Sequence, residues 1–330
     1  MKKYVIVMLT MLIVLSACGN TNEEGEQDKV ILAGGEWDSI IFHNNIAKII
    51  LEDGYDYDVE IITGSTAALI QGIRQDEINI FMELWTDTMK EMYEEGTEAG
   101  EIETVGLNFE AEESGFYVPT YVIEGDAERG IDPIAPDLRR VDQLNDYYEL
   151  FIDPDDPEKG RFYNGPSSWA VSKVMDEKFE AYNLGENYNN FGSGSQAAMN
   201  ASLEAAYEEG EPWLGYAWSP TATTAKFDLT LLEEDPYDEE IYEETMKTAR
   251  PPQQVLIITN SGFPEEHPEI NDFLSEYKTT PELTEDGVAY MINNEASAEE
   301  TAVWWLNENE DVWTEWVPED VVEKVKNSLH

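Results

Sequence analysis

Three short apolar runs separated by two helical stretches occupy Val30 to Met82 and limit the possible folds of this chain more than any other feature. Val30-Ile31-Leu32-Ala33-Gly34-Gly35 reads as a buried strand running into a turn. Ser39 to Leu51 follows with helical spacing: Ile40, Ile41, Ile46, Ile49 and Ile50 are apolar, and Gly54 stops the helix. Val59 to Ile62 is a second strand, Ser65 to Arg74 a second helix with Ser65 as N-cap, and Ile78 to Met82 a third strand. Such alternation predicts parallel strands covered by helices, an α/β fold.

The rest of the chain changes character. Glu113 to Val122 is extended and aromatic with Pro119 inside it, and reads as a strand passing from one domain to another. Asp126 to Gly160 reads as loops around one short helix. Ser168 to Tyr182 and Ser195 to Gly210 read as helices, and Trp213 to Trp218 as a strand. Thr230 to Pro252 is acidic and irregular with a local helix; Val255 to Thr259 is again a buried strand. Pro268 to Leu329 reads as helices, with Ser297 and Glu300 forming a capping box. From Lys29 onward the length is roughly that of two domains. The expected organisation is two α/β lobes joined by two chain crossings: residues 29–117 and 253–330 in lobe I, and 118–252 in lobe II.

The start of the chain carries a different signal. Lys2 and Lys3 precede an apolar run that ends in Leu15-Ser16-Ala17-Cys18. Residues 1–18 read as an export signal. Cys18 is the only cysteine, so it has no internal disulfide partner. Leu-Ser-Ala-Cys resembles a bacterial lipobox, in which the cysteine is diacylated and becomes the new N-terminus. Two acyl chains hold a protein stably on a membrane. Residues 19–28 are polar and read as a flexible tether. The expected location is therefore the extracytoplasmic face of the cell membrane, reached through a lipid anchor. The net charge of −52 keeps such a surface hydrated, strains the compact state by self-repulsion and attracts cations. Nucleic acid is excluded as a partner on the same ground.

Catalytic and cofactor motifs are sparse. The three histidines show no metal-ligand spacing, and no Walker motif, Gly-x-Gly-x-x-Gly or nucleophile elbow is present. No cofactor or metal is expected. Gly192-Ser193-Gly194-Ser195 reads as a helix N-cap, and Asp153 to Glu158 as a solvated loop rather than a calcium site. Carboxylate pairs are abundant, which keeps open a second class of function: a surface-anchored carbohydrate-active hydrolase working with two carboxylates.

Nine tryptophans are more informative. Trp304, Trp305, Trp313 and Trp316 recur at helix-like intervals and read as core. Trp213 reads as packing. Trp37, Trp85, Trp169 and Trp218 instead stand at the ends of strands and the starts of helices, where ligands bind in open α/β sheets. Together they suggest an aromatic cage, which suits a quaternary ammonium.

Four motifs carry a family resemblance: Glu83-Leu84-Trp85-Thr86, Tyr117-Val118-Pro119-Thr120-Tyr121, Gly165-Pro166-Ser167-Ser168-Trp169 and Tyr216-Ala217-Trp218-Ser219-Pro220. In order and spacing the chain resembles the glycine betaine/proline betaine substrate-binding proteins of ABC importers, from about Lys29 to about Val317. The resemblance implies a two-lobed fold of the type II periplasmic-binding-protein kind, with two crossover strands and a ligand cleft between the lobes. It implies no enzymatic activity, and as partners a small quaternary ammonium ligand together with permease and ATPase subunits. Trp85, Trp169 and Trp218 would box the trimethylammonium group, with Trp37 as a fourth wall. Tyr117, from the second motif, joins the candidate ligand-binding residues. The backbone N–H groups of Ala170 and Val171, at the start of a helix, would receive a ligand carboxylate. The family's histidine after the first tryptophan is missing from Trp85-Thr86-Asp87-Thr88-Met89, and an acid is added. Asp87 facing the pocket would favour a net cation such as choline over a zwitterion; its other reading is a residue opening the helix that follows.

Overall fold

The computed structural model describes residues 29–111 and 114–329. The export signal, Cys18 and the tether lie outside the described residues. Four strands come first: β1 (Lys29–Gly34), β2 (Asp58–Thr63), β3 (Ile80–Trp85) and β4 (Ile102–Ala111). The next six are β5 (Ser114–Pro119), β6 (Ile152–Asp153), β7 (Asp156–Asn164), β8 (Tyr188–Gly192), β9 (Gly215–Trp218) and β10 (Leu229–Leu231), and β11 (Gln253–Asn260) follows. One sheet has the order β2-β1-β3-β11-β4; the other has the order β10-β5-β9-β7-β6, with β8 beside β7. The pairs β1/β2 and β1/β3 are parallel, as the strand–helix alternation predicts. β11 lies antiparallel between β3 and β4, so both sheets are mixed rather than purely parallel. The molecule is a two-lobed α/β protein, one lobe built on each sheet.

The chain changes sheets between Ala111 and Ser114 and returns at Gln253. The expected break after Tyr117 falls inside β5, where Ser114 to Tyr117 pair with Trp218 to Gly215 in the second sheet. The stretch Asp126 to Gly160, which its prolines and aspartates mark as loops around one short helix, contains the first part of β7, Asp156 to Gly160. Burial of Phe162 and pairing on both edges make it a strand. The solvated-loop reading of Asp153 to Glu158 also needs correcting. Asp153 is buried and holds the Arg161 guanidinium, and the Asn189 side-chain amide donates to it over 2.9 Å.

Local rules hold where the sequence states them clearly. Ser65 and Ser195 accept from the backbone N–H groups of Ala68 and Ala198 and cap the helices Thr66–Arg74 and Gln196–Glu209. Ser297 and Glu300 form the reciprocal capping box at the head of the helix Ala298–Glu308. Loss of an N-cap oxygen costs about 1 kcal/mol. Ser297→Ala is therefore expected to lower the stability measured by urea unfolding by that amount without changing ligand affinity. Trp305, Trp313 and Trp316 are buried in the core of the first lobe with Phe42, Phe273 and Tyr277. Trp304 is half-buried and stacks on Tyr290 at a centroid distance of 3.9 Å. Trp213 packs flat against Tyr163 at 5.8 Å. Among the described residues no helix is long and apolar enough to cross a membrane.

Candidate functional site

Two close approaches set the walls of the cleft between the lobes. A Cβ on Gly35 would lie 2.3 Å from the Trp37 ring, so only glycine lets that ring fold back over the end of β1. A Cβ on Gly165 would sit 2.8 Å from Ser172 Oγ and 3.0 Å from the Trp169 ring, so glycine is needed there too. Trp37 immediately precedes the helix Asp38–Ile49, Trp85 ends β3, Trp169 immediately precedes the helix Ala170–Ala181 and Trp218 ends β9. Two of these tryptophans come from each lobe. All four line one pocket, with Thr66, Thr88, Ala170, Val171, Tyr216 and Arg250.

The rings meet at steep angles. Trp169 is the middle member: its ring is perpendicular to that of Trp218 at 5.2 Å (87°) and to that of Trp37 at 6.4 Å (83°). Tyr216 lies parallel to Trp218 at 5.5 Å and backs it. Perpendicular ring walls present several π faces to one enclosed volume, the arrangement that attracts a cation without hydrogen-bonding it. The Trp169 indole N–H is buried and has no hydrogen-bond partner among the described residues.

The lobes touch across the pocket. Thr66 N–H donates to the Ser168 carbonyl over 3.2 Å, and Ala170 N–H reaches Thr66 Oγ1 at 3.4 Å. Gln196 spans Asp38 in both directions: its Oε1 accepts from the Asp38 N–H over 2.9 Å and its Nε2 donates to the carboxylate over 2.7 Å. Burial pushes the Asp38 carboxyl up to about 6.

Of the residues anticipated from sequence, Trp37, Trp85, Trp169, Trp218, Ala170 and Val171 line the pocket, whereas Asp87 and Tyr117 are not among its lining residues. Tyr117 is a buried member of β5. Asp87 does not stand open to a ligand; it lies in the first turn of the short helix Thr86–Met89 without capping it by its side chain. Its Oδ2 accepts from Arg250 Nη2, and both side chains are nearly inaccessible, 7% and 3% exposed. Arg250 also donates to Ser114 Oγ and to Gln253 Oε1. Burial works against the guanidinium charge, but Asp87 beside it keeps it protonated. The added acid is thus neutralised, and the polar part of the pocket wall carries Arg250. Thr66, Thr88, Tyr216 and Arg250 were missed. The only sequence signal for Arg250 was its position as a lone arginine between an acidic stretch and Pro251-Pro252.

Residues 28–308 match the family described as the substrate-binding domain of the ABC-type glycine betaine transport system, OpuAC. The chain belongs to this family. A trimethylamine N-oxide-binding protein from Pelagibacter ubique (strain HTCC1062) is 25% identical over 321 residues, covering 95% of this chain and 99% of its own. Two solved structures share the fold. An ABC-transporter choline-binding protein in complex with choline has a TM-score of 0.74 at 19% identity, over 92% of this chain and 98% of its own. Lactococcal OpuAC in its closed form with glycine betaine has a TM-score of 0.70 at 19% identity, over 88% of this chain and 100% of its own. The protein is a substrate-binding component of an ABC-type glycine betaine transport system and works outside the cytoplasm.

Proposed function

We propose that the protein captures a small trimethylammonium zwitterion of the glycine betaine type in the cage of Trp37, Trp85, Trp169 and Trp218, and presents it to a permease driven by an ATPase. The observation that carries this reading is the convergence of four tryptophans from two lobes on one pocket whose wall also holds Arg250. The rings suit the methylated cation. Arg250, the indole N–H of Trp169 and the Val171 N–H in the first turn of the helix Ala170–Ala181 suit a ligand oxygen or carboxylate. With Asp87 bound to Arg250, the reason to prefer choline disappears. Trimethylamine N-oxide, named for the relative in Pelagibacter, shares the same pairing of methylated nitrogen and anionic oxygen. The protein is a binder rather than an enzyme. A two-carboxylate hydrolase needs acids facing its substrate, and none of the residues lining this pocket is acidic. The lobe boundaries follow the two sheets, lobe I ending with β4 and resuming at β11 and lobe II beginning with β5, and Cys18 supplies a lipid anchor.

Tryptophan fluorescence and calorimetric titration with glycine betaine, trimethylamine N-oxide, choline and maltose test the reading. Saturable binding of glycine betaine, with choline weaker and maltose inert, is expected. Choline binding more tightly than both zwitterions would remove the role given to Arg250. A response to maltose alone would favour the hydrolase.

A further inference from the structure

Glu83 is fully buried in the middle of β3, within the motif that carries Trp85. Side chains alternate along a strand, so Glu83 and Trp85 share a face. One carboxylate oxygen takes three donors: Trp37 Nε1 at 2.7 Å, Ser39 Oγ at 2.7 Å and Trp85 Nε1 at 2.9 Å. The other oxygen is buried and has no hydrogen-bond partner among the described residues. An indole N–H can only donate, so two cage rings are fastened edge-on to one acceptor. Among the described residues no lysine or arginine forms a salt bridge with Glu83.

We propose that Glu83 is the positioning residue of the cage: it clamps the indoles of Trp37 and Trp85 and supplies the buried negative charge that a bound trimethylammonium group compensates, so that ligand capture is coupled to release of the Glu83 proton. This rests on the ligand class proposed above. A buried carboxylate without a cation is costly. Burial pushes the Glu83 carboxyl up to about 7, against the lowering pull of its three donors. A permanent cation between the rings acts on that carboxylate through a medium of low polarity, where charges interact strongly. An indole whose N–H is bound by an anion is also richer in π electrons, which deepens its attraction for a cation.

The neighbouring titratable groups separate cleanly. Tyr277, whose phenol is raised by burial and by Glu83, stays neutral. His43, bonded to Tyr277 over 2.8 Å, is pushed down to about 3 by burial and stays neutral as well. Arg250 is held by Asp87 and remains charged. Asp38, next to Trp37 and bound by Gln196, is the other group that changes charge below neutrality, so it serves as the control.

The test is calorimetry with tetramethylammonium chloride from pH 5.5 to 8.5 at constant ionic strength, in buffers of different ionisation enthalpy. This probe lacks a carboxylate and reports on the cage alone. Affinity is expected to rise about tenfold from pH 6 to 8, with release of about half a proton per ligand near pH 7. Glu83→Gln keeps the volume and one acceptor. It is expected to flatten the pH profile, abolish proton release and weaken binding about tenfold at pH 8, whereas Asp38→Asn keeps the release. A flat wild-type profile without proton release, or a release that survives in Glu83→Gln, overturns the coupling and leaves the ligand class intact. Should Glu83→Gln fail to fold, the wild-type and Asp38→Asn measurements decide on their own. No binding of either tetramethylammonium or glycine betaine at any pH sinks both readings.

Discussion

Trp169→Ala is expected to raise the Kd for glycine betaine by a factor of about 30 or more. Trp169 is the middle wall of the cage, in edge contact with Trp218 on one side and Trp37 on the other. A cation over a desolvated aromatic face gains about 2 kcal/mol, which converts to about that factor in affinity. Removing the ring also removes a surface on which the two lobes meet, since Trp37 belongs to one and Trp169 to the other. Trp169→Phe keeps a π face in nearly the same place and is expected to cost less, about three- to tenfold. Calorimetric titration of the two variants decides the matter. Equal losses would mean that the shape of the wall, rather than its electron distribution, holds the ligand.

Arg250→Met is expected to have the largest effect on stability. The side chain stays long enough to fill its volume, but Asp87 is left buried with no positive partner. Breaking a buried pair from one side costs about 3–5 kcal/mol, which in a chain of this size corresponds to roughly 10 °C in Tm. The double variant Asp87→Asn with Arg250→Met removes the stranded charge and is expected to recover most of the loss, as read by thermal unfolding of the ligand-free protein. If the double variant is instead as unstable as the sum of the two single variants, the contribution of Arg250 lies in its bonds to Ser114 and Gln253. Selectivity supplies a second readout: the double variant loses the guanidinium from the pocket wall, so its preference for glycine betaine over choline should shrink.

The tryptophans sort themselves by a rule that sequence obeys directly. Rings at helical intervals turn toward the core, as Trp305 and Trp313 do from two successive helices, Ala298–Glu308 and Glu310–Trp313. A ring placed between the last residue of a strand and the first of a helix has no such periodicity, and Trp37, Trp85, Trp169 and Trp218 reach the cleft. Asp87 shows the opposite case. Its role depends on a guanidinium 163 positions away, and no local pattern records a partner at that distance. An unpaired acid there favours a net cation; paired with Arg250, the same position suits a zwitterion. β7 was illegible for a related reason: its strand state comes from pairing partners on both edges, not from its own alternation.

By itself the sequence determined the α/β class, the caps at Ser65, Ser195 and Ser297, the core places of Trp305, Trp313 and Trp316 and the family. These follow from short-range periodicity, from hydrogen bonds to near neighbours and from motifs a few residues long. Only the tertiary structure decided that Asp87 is held by Arg250, that Glu83 lies beneath the cage with two indoles on one oxygen, that β11 inserts antiparallel between β3 and β4, and that Asp38 and Gln196 join the lobes. The physical reason is common to all four. Charge pairing, burial and strand register depend on distances through space between residues far apart in the chain, and a linear pattern holds no measure of those distances.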